Sequence, residues 1–233
     1  MKIIDTETGK RIGLDQKVTN KKLKEEDPIL RNAQKDNESE GLSPMDPPEA
    51  YDVNGMQPIP ETDRHPLIQQ YMVEHVAALE VIQGFEKAIL AFKAGGYRLD
   101  DAINDGFRKF FDFFDAKLLD HNRREEAQLF PLLHKRMIET GEHSDSPVPT
   151  TAVDVMEDDH VKFIQLGALT FNMLGLAARL PDHSSRMFTY GVACDNAREL
   201  IELLRLHIFR EDNVLFPLAQ KLLSKEELDF MQV

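Results

Sequence analysis

From Asp63 onward, apolar residues recur every three or four positions, the period of a helix with one buried face. Ile68, Met72, His75, Leu79 and Ile82 set this spacing over about Pro66 to Ala94, and Gly95-Gly96 stops it. A second helix is predicted from about Asp100 to Ile138, through Phe107, Phe110, Phe111, Phe114, Leu118, His121 and Glu125, with Gly141 beyond its end. Thr151 with Asp154 marks a third start, and that helix runs to about Ala178, before Pro181. Asp182 is an N-cap for a fourth helix reaching about Leu223 through Leu200, Leu203, Leu204, His207 and Glu211. Ser224 and Glu227 form a capping box for a short last helix. Pro131 and Pro217 fall inside the second and fourth helices. Proline lacks an N–H and clashes with the preceding turn, so each predicts a kink or a break. Four long helices with short connections predict an all-α, antiparallel up-down four-helix bundle over residues 61–233.

Residues 1–60 lack this spacing. Their apolar residues are scattered, and Pro44, Pro47, Pro48, Pro58 and Pro60 cluster. Such a segment cannot bury enough surface to fold alone. It is expected to be an extended or weakly structured arm, lying on the body or on a second subunit, or else a flexible leader. Lys2 to Ile12 is a candidate hairpin around Thr8-Gly9.

Each apolar stripe of the bundle contains misplaced polar residues. They are His75 in the first helix, His121 and Glu125 in the second, His160 in the third, and His207 and Glu211 in the fourth. The second and fourth helices nearly repeat each other here. His121, Glu125 and Leu129-Phe130-Pro131 return as His207, Glu211 and Leu215-Phe216-Pro217. Histidine and glutamate four residues apart share one helix face. A buried unpaired carboxylate must be neutralised, paired or bound to metal. Two metal ions satisfy all six groups, with two histidines per ion, both carboxylates bridging, and a shared oxo or hydroxo group. Imidazole and carboxylate without thiolate suit iron, manganese or zinc.

Other polar residues read differently. Glu157 and Tyr71 lie one turn from His160 and His75, and are expected to be solvated and packed, respectively. Glu126 and Asp212 follow the two glutamates by one residue, and are expected to face solvent or pair with Arg123 or Arg210. His134 is read as structural, and His65, His143 and His183 as surface residues. Cys194 is read as a small buried residue. The Phe107 to Phe114 run is read as core or as a homodimer surface.

The net charge of −13 argues against nucleic acid or an anionic membrane as partner. The lone cysteine allows no internal disulfide, which fits a reducing cytoplasm. The first residues show no apolar signal region, and the sequence reading finds no long apolar run to span a membrane.

The pattern His75, His121-x-x-x-Glu125, His160 and His207-x-x-x-Glu211 on successive helices resembles the metal pattern of hemerythrin-like (HHE cation-binding) proteins, over about residues 65–223. The resemblance implies a non-haem di-iron centre. Glu125 and Glu211 would be bridges, and His75, His121, His160 and His207 terminal ligands. It also implies a small-molecule ligand such as O2, NO or H2O2, bound, sensed or reacted with. Oxygen carriers have a second histidine on the third helix, where this chain has Ile164 four residues after His160 and Met156 four before. They also use an aspartate five residues after the last histidine, where this chain has Glu211 at four. The pattern is more similar to iron-sulfur cluster repair proteins and iron-sensing hemerythrin-like domains. That leaves iron donation or nitric oxide reduction as an alternative. The repair proteins usually carry a cysteine-bearing N-terminal domain, and residues 1–60 contain no cysteine.

Overall fold

The computed structural model describes residues 59–144 and 147–231. The expected hairpin over Lys2 to Ile12 lies outside them, as does the expected arm up to residue 58. Among the described residues the secondary structure is helical. Helix α1 spans Pro66–Ala94. The second long helix consists of α2 (Asp101–Phe113), α3 (Leu119–Arg124) and α4 (Phe130–Thr140). Widened five-residue turns at Phe114–Leu118 and Glu125–Leu129 join its three parts. The third is α5 (Ala152–Arg179). The fourth is α6 (His183–Arg210), a widened turn at Glu211–Leu215, and α7 (Phe216–Leu222). Helix α8 (Lys225–Phe230) closes the described chain.

The ends follow from local chemistry. His65 caps α1 by accepting from the Leu67 N–H, with Pro66 at the first helical position, where its missing N–H costs nothing. Asp100 and Asp182 cap α2 and α6, and capping boxes open α5 at Thr151 and α8 at Ser224. Gly141 ends α4 with φ of 84°, a conformation glycine adopts without strain. His65 is not a surface residue. It is 8% exposed, and its Nε2 lies 3.0 Å from Asp229 on α8.

Neither internal proline breaks its helix. Ahead of each, the turn widens. The Phe130 N–H bonds back to the Glu125 carbonyl and the Phe216 N–H to the Glu211 carbonyl, each five residues away. The widened turns sit immediately before Pro131 and Pro217, where the regular bonding pattern loses a donor. Each begins at one of the two glutamates of the repeat.

The core divides into two apolar clusters. One contains Leu129, Phe130, Met156, Leu215 and Phe216. The other contains Phe85, Phe110, Leu118, Phe163, Leu200 and Leu204. Burying each such side chain contributes about 1.5–3 kcal/mol. Gly167 on α5 permits a close approach, because a Cβ there would lie 2.7 Å from the Phe114 ring. Cys194 is buried in the second cluster, as expected, and burial pushes its thiol up to about 11.

One detail of the expected stripes changes. Ala78 at 2% exposure, not Leu79 at 37%, faces the core of α1. Ile164 is 51% exposed while Met156 is fully buried, so the inward face of α5 turns toward Met156 and Phe163. Helix α5 also contains an 18-residue window of mean hydropathy 1.4, long and apolar enough to cross a membrane by composition, with 22% of it buried. By length and composition it corrects the expectation that no such run is present. In the bundle this helix packs along α6 and carries His160 inward.

Candidate metal centre

Two near-identical halves build the site. All six candidate residues are buried, with Glu125 and Glu211 at 0% exposure and the four histidines at 1–4%. His75, His121, Glu125 and Glu211 bring ligand atoms within 4.8 Å of one another. Glu125, His160, His207 and Glu211 do the same, so both glutamates belong to both groups. The first group takes its histidines from the first and second long helices, the other from the third and fourth.

The four imidazoles turn Nε2 inward. His75 Nε2 lies 3.1 Å from His121 Nε2 and 3.2 Å from Glu211 Oε2. His160 Nε2 lies 3.2 Å from His207 Nε2, and His207 Nε2 lies 3.1 Å from Glu211 Oε2. Glu125 reaches His121 at 3.4 Å through Oε1 and His160 at 3.7 Å through Oε2.

The Nδ1 atoms face outward, each toward its own carboxylate. His75 meets Asp212 at 2.7 Å, His121 meets Glu74 at 2.7 Å, and His160 meets Glu126 at 2.8 Å. His207 faces Asp159 at 3.7 Å, an ion-pair distance rather than a hydrogen bond. A carboxylate accepts, so it holds the proton on Nδ1 and leaves Nε2 available to a metal.

The arrangement corrects the sequence reading of Asp212 and completes that of Glu126, which is exposed as expected but also holds His160. They do not pair with Arg123 or Arg210. Arg123 binds Asp120 at 2.5 Å, and Arg210 lies 3.4 Å from Asp159. The acid before each histidine of the first and third helices, Glu74 or Asp159, serves the histidine of the next helix. The acid after each shared glutamate serves His160 or His75. Glu74-His75 and Asp159-His160 are matching acid-histidine pairs, and Glu125-Glu126 matches Glu211-Asp212. That doubled pattern was the available signal, and reading each acid only by its own helix face missed it.

The same symmetry extends to aromatic rings. Phe216 stacks on His75 at 5.5 Å between centroids, and Phe130 on His160 at 5.6 Å. Tyr71 meets His121 edge-on at 5.1 Å, and Phe163 meets His207 at 4.8 Å. The phenylalanine of each Leu-Phe-Pro repeat therefore backs a histidine on another helix. Tyr71 is packed as expected, at 1% exposure. Glu157 is exposed, as expected. His134 bonds Thr151 at 2.9 Å, tying the second helix to the third in the structural role expected of it.

Charge in this layer is held by contact. For His75, burial opposes the cation, but the hydrogen bond to Asp212 and the Glu211 carboxylate beside it outweigh it and raise the imidazole to about 10. Burial is likewise overcome at His121 by Glu125 and Glu74, and at His207 by Glu211 and Asp159, raising each to about 9. His160 is lowered by burial and by the neighbouring charge of His207. Burial would raise the Glu211 carboxyl, yet His207 and His75 hold it well below its ordinary value.

The donor set fits metal ions. Both oxygens of Glu125 and both of Glu211 are buried without a hydrogen-bond partner. Desolvating a carboxylate costs several kcal/mol even after relaxation, and the ion pairs of 3.1–3.7 Å around these two leave their lone pairs without hydrogen bonds. Cations placed between the glutamates would satisfy those oxygens and the four Nε2 atoms together.

The family model for the hemerythrin HHE cation binding domain matches residues 66–219. The chain belongs to that family. It is a hemerythrin-type helical bundle with buried histidine–glutamate groups that could hold metal. Neither the curated proteins nor the solved structures give a match.

Proposed function

We propose that His75, His121, His160, His207, Glu125 and Glu211 hold two iron ions, and that the pair binds or reacts with a small molecule of the O2, NO or H2O2 kind, as a sensor or reaction centre. The observation that carries this reading is the sharing of Glu125 and Glu211 between two four-residue groups. Two imidazoles and two carboxylate oxygens per ion leave coordination positions for a small molecule. Iron is chosen over manganese or zinc on the likeness of the ligand pattern to hemerythrin-like proteins. Bound iron would supply the redox chemistry and the open positions.

The chain's own residues do the rest. The outward carboxylates fix each imidazole's proton and ring angle. The two apolar clusters exclude water and strengthen charge interactions between them. Tyr71, His75, His121, Glu74 and Arg124 line a cleft of about 570 Å³. The cleft lies beside the His75/His121 half.

The test is a metal count with an optical spectrum of the freshly isolated protein. Two irons per chain with near-ultraviolet absorption of a bridged ferric pair are expected. A colourless zinc protein, or one binding a single ion, would reject the reading. The cleft beside one half also favours a second reading, in which iron is donated from that half to damaged iron-sulfur clusters or nitric oxide is reduced there. Nitrous oxide release after anaerobic mixing with nitric oxide would select the reductase form.

A further inference from the structure

Asn122 is the one residue of the ligand layer that the metal reading leaves unused among the described buried polar groups of the second helix. It follows His121 directly, precedes Glu125 by three residues, and is 5% exposed. Both amide atoms, Nδ2 and Oδ1, are buried without a hydrogen-bond partner. A primary amide carries two donors and an acceptor oxygen, and leaving them unpaired in an apolar interior is costly.

Its placement gives direction. Glu126 lies one helical turn after Asn122 on the same face, and Glu126 reaches His160 on α5. Leu118, one turn earlier, is packed with Phe163 and Leu204 in the cluster on the far side of the layer from Phe130 and Phe216. Asn122 therefore stands between the shared glutamate and an apolar wall. Leucine or phenylalanine would fill that place without an orphaned amide.

We propose that Asn122 is the hydrogen-bonding residue for the small molecule held at the metal pair. This inference rests on the reading above and narrows its ligand. An amide that can both donate and accept favours a polar oxygen or nitrogen ligand of the peroxide or azide kind over a weakly accepting diatomic such as nitric oxide. An ordered water bound permanently to the amide is the competing arrangement.

The experiment uses the full chain loaded with iron, with azide as probe, comparing wild type with Asn122→Leu. Expected are an unchanged metal content, an azide dissociation constant raised about tenfold, as for one lost hydrogen bond, and a deuterium-sensitive azide infrared band in wild type alone. Nitric oxide binding to the reduced protein should stay within about twofold, reflecting its weak hydrogen bonding. The metal-free leucine variant should melt no lower than wild type.

Equal azide affinity with the same deuterium shift in both proteins overturns the proposal and leaves the metal reading standing. So does failure of azide to bind the iron-loaded wild type. A leucine variant that loses iron, or that melts far lower without metal, shows a structural role and also overturns it. Asn122→Ser removes the amide with less change in shape and carries the binding test if the leucine variant does not fold. Wild-type azide affinity in Asn122→Ser would then count against the proposal. A wild type that takes up no metal defeats both readings.

Discussion

Asp212 Oδ1 lies 2.7 Å from His75 Nδ1, so a residue next to a shared glutamate on the fourth helix sets the imidazole of the first. The contact ties the tautomer of His75 to the position of the Glu211–Leu215 turn. Removing such a partner typically costs 10–100-fold in metal affinity. Asp212→Ala should weaken binding at the His75/His121 half by about that factor and leave the His160/His207 half nearly intact. Competition with a coloured chelator would resolve one weakened and one normal site.

The shared glutamates predict a different pattern. Glu125 approaches both His121 and His160, and Glu211 approaches both His75 and His207. Glu125→Gln or Glu211→Gln should therefore weaken both ions together. His160→Ala should weaken chiefly the ion beside His207. Metal stoichiometry after dialysis separates the two patterns, and single-site loss in either glutamine variant would contradict sharing.

Metal-free and metal-loaded protein should respond oppositely to alkali. In the metal-free chain His75 is raised to about 10, and His121 and His207 to about 9, from an ordinary 6.5. The folded state then binds more protons than the unfolded state between 6.5 and those values. Stability from these groups is full below 6.5 and is lost as pH rises through 9 to 10. His160, which is lowered, acts in the opposite sense and weakens the fold as pH falls through 6.5. Metal must displace the protons on Nε2, so its affinity rises with pH over the same range. Melting temperatures from pH 7 to 10 should fall without metal and hold or rise with it, and proton release on loading should be measurable in weak buffer.

The bundle and its six inward groups were legible because they rest on periodicity and on a doubled motif. Pro66–Ala94 appears at its predicted bounds, with Gly95 at its cap. Registers at the margin were not legible. Leu79 is more apolar than Ala78, yet the small Ala78 fits where the first helix faces the core. Pro131 and Pro217 signalled a break, but a widened turn absorbs a missing N–H at lower cost than ending the helix. Glu74, Glu126, Asp159 and Asp212 were hidden because their partners lie on other helices, at separations of 34 to 137 residues for the three hydrogen-bonded pairs. Single-helix geometry carries no information about such distances.

Packing around the site gives a last prediction with its own control. Gly167 and Gly175 both lie inside α5. Alanine is favoured over glycine in a helix by about 1 kcal/mol. At Gly175 a Cβ would meet nothing within 4 Å, so Gly175→Ala should raise the melting temperature. At Gly167 the same atom would lie 2.7 Å from Phe114 Cζ and 3.1 and 3.2 Å from the ring's Cε atoms. Phe114 is 8% exposed and starts the widened turn Phe114–Leu118, so its ring has little room to withdraw. Overpacking costs about 1–3 kcal/mol, which outweighs the helix gain. Gly167→Ala should therefore lower the melting temperature, and adding Phe114→Leu should recover part of the loss. Thermal melts of the two single variants and the double variant would decide it. Equal stabilisation by alanine at both glycines would mean that the Phe114 ring moves freely.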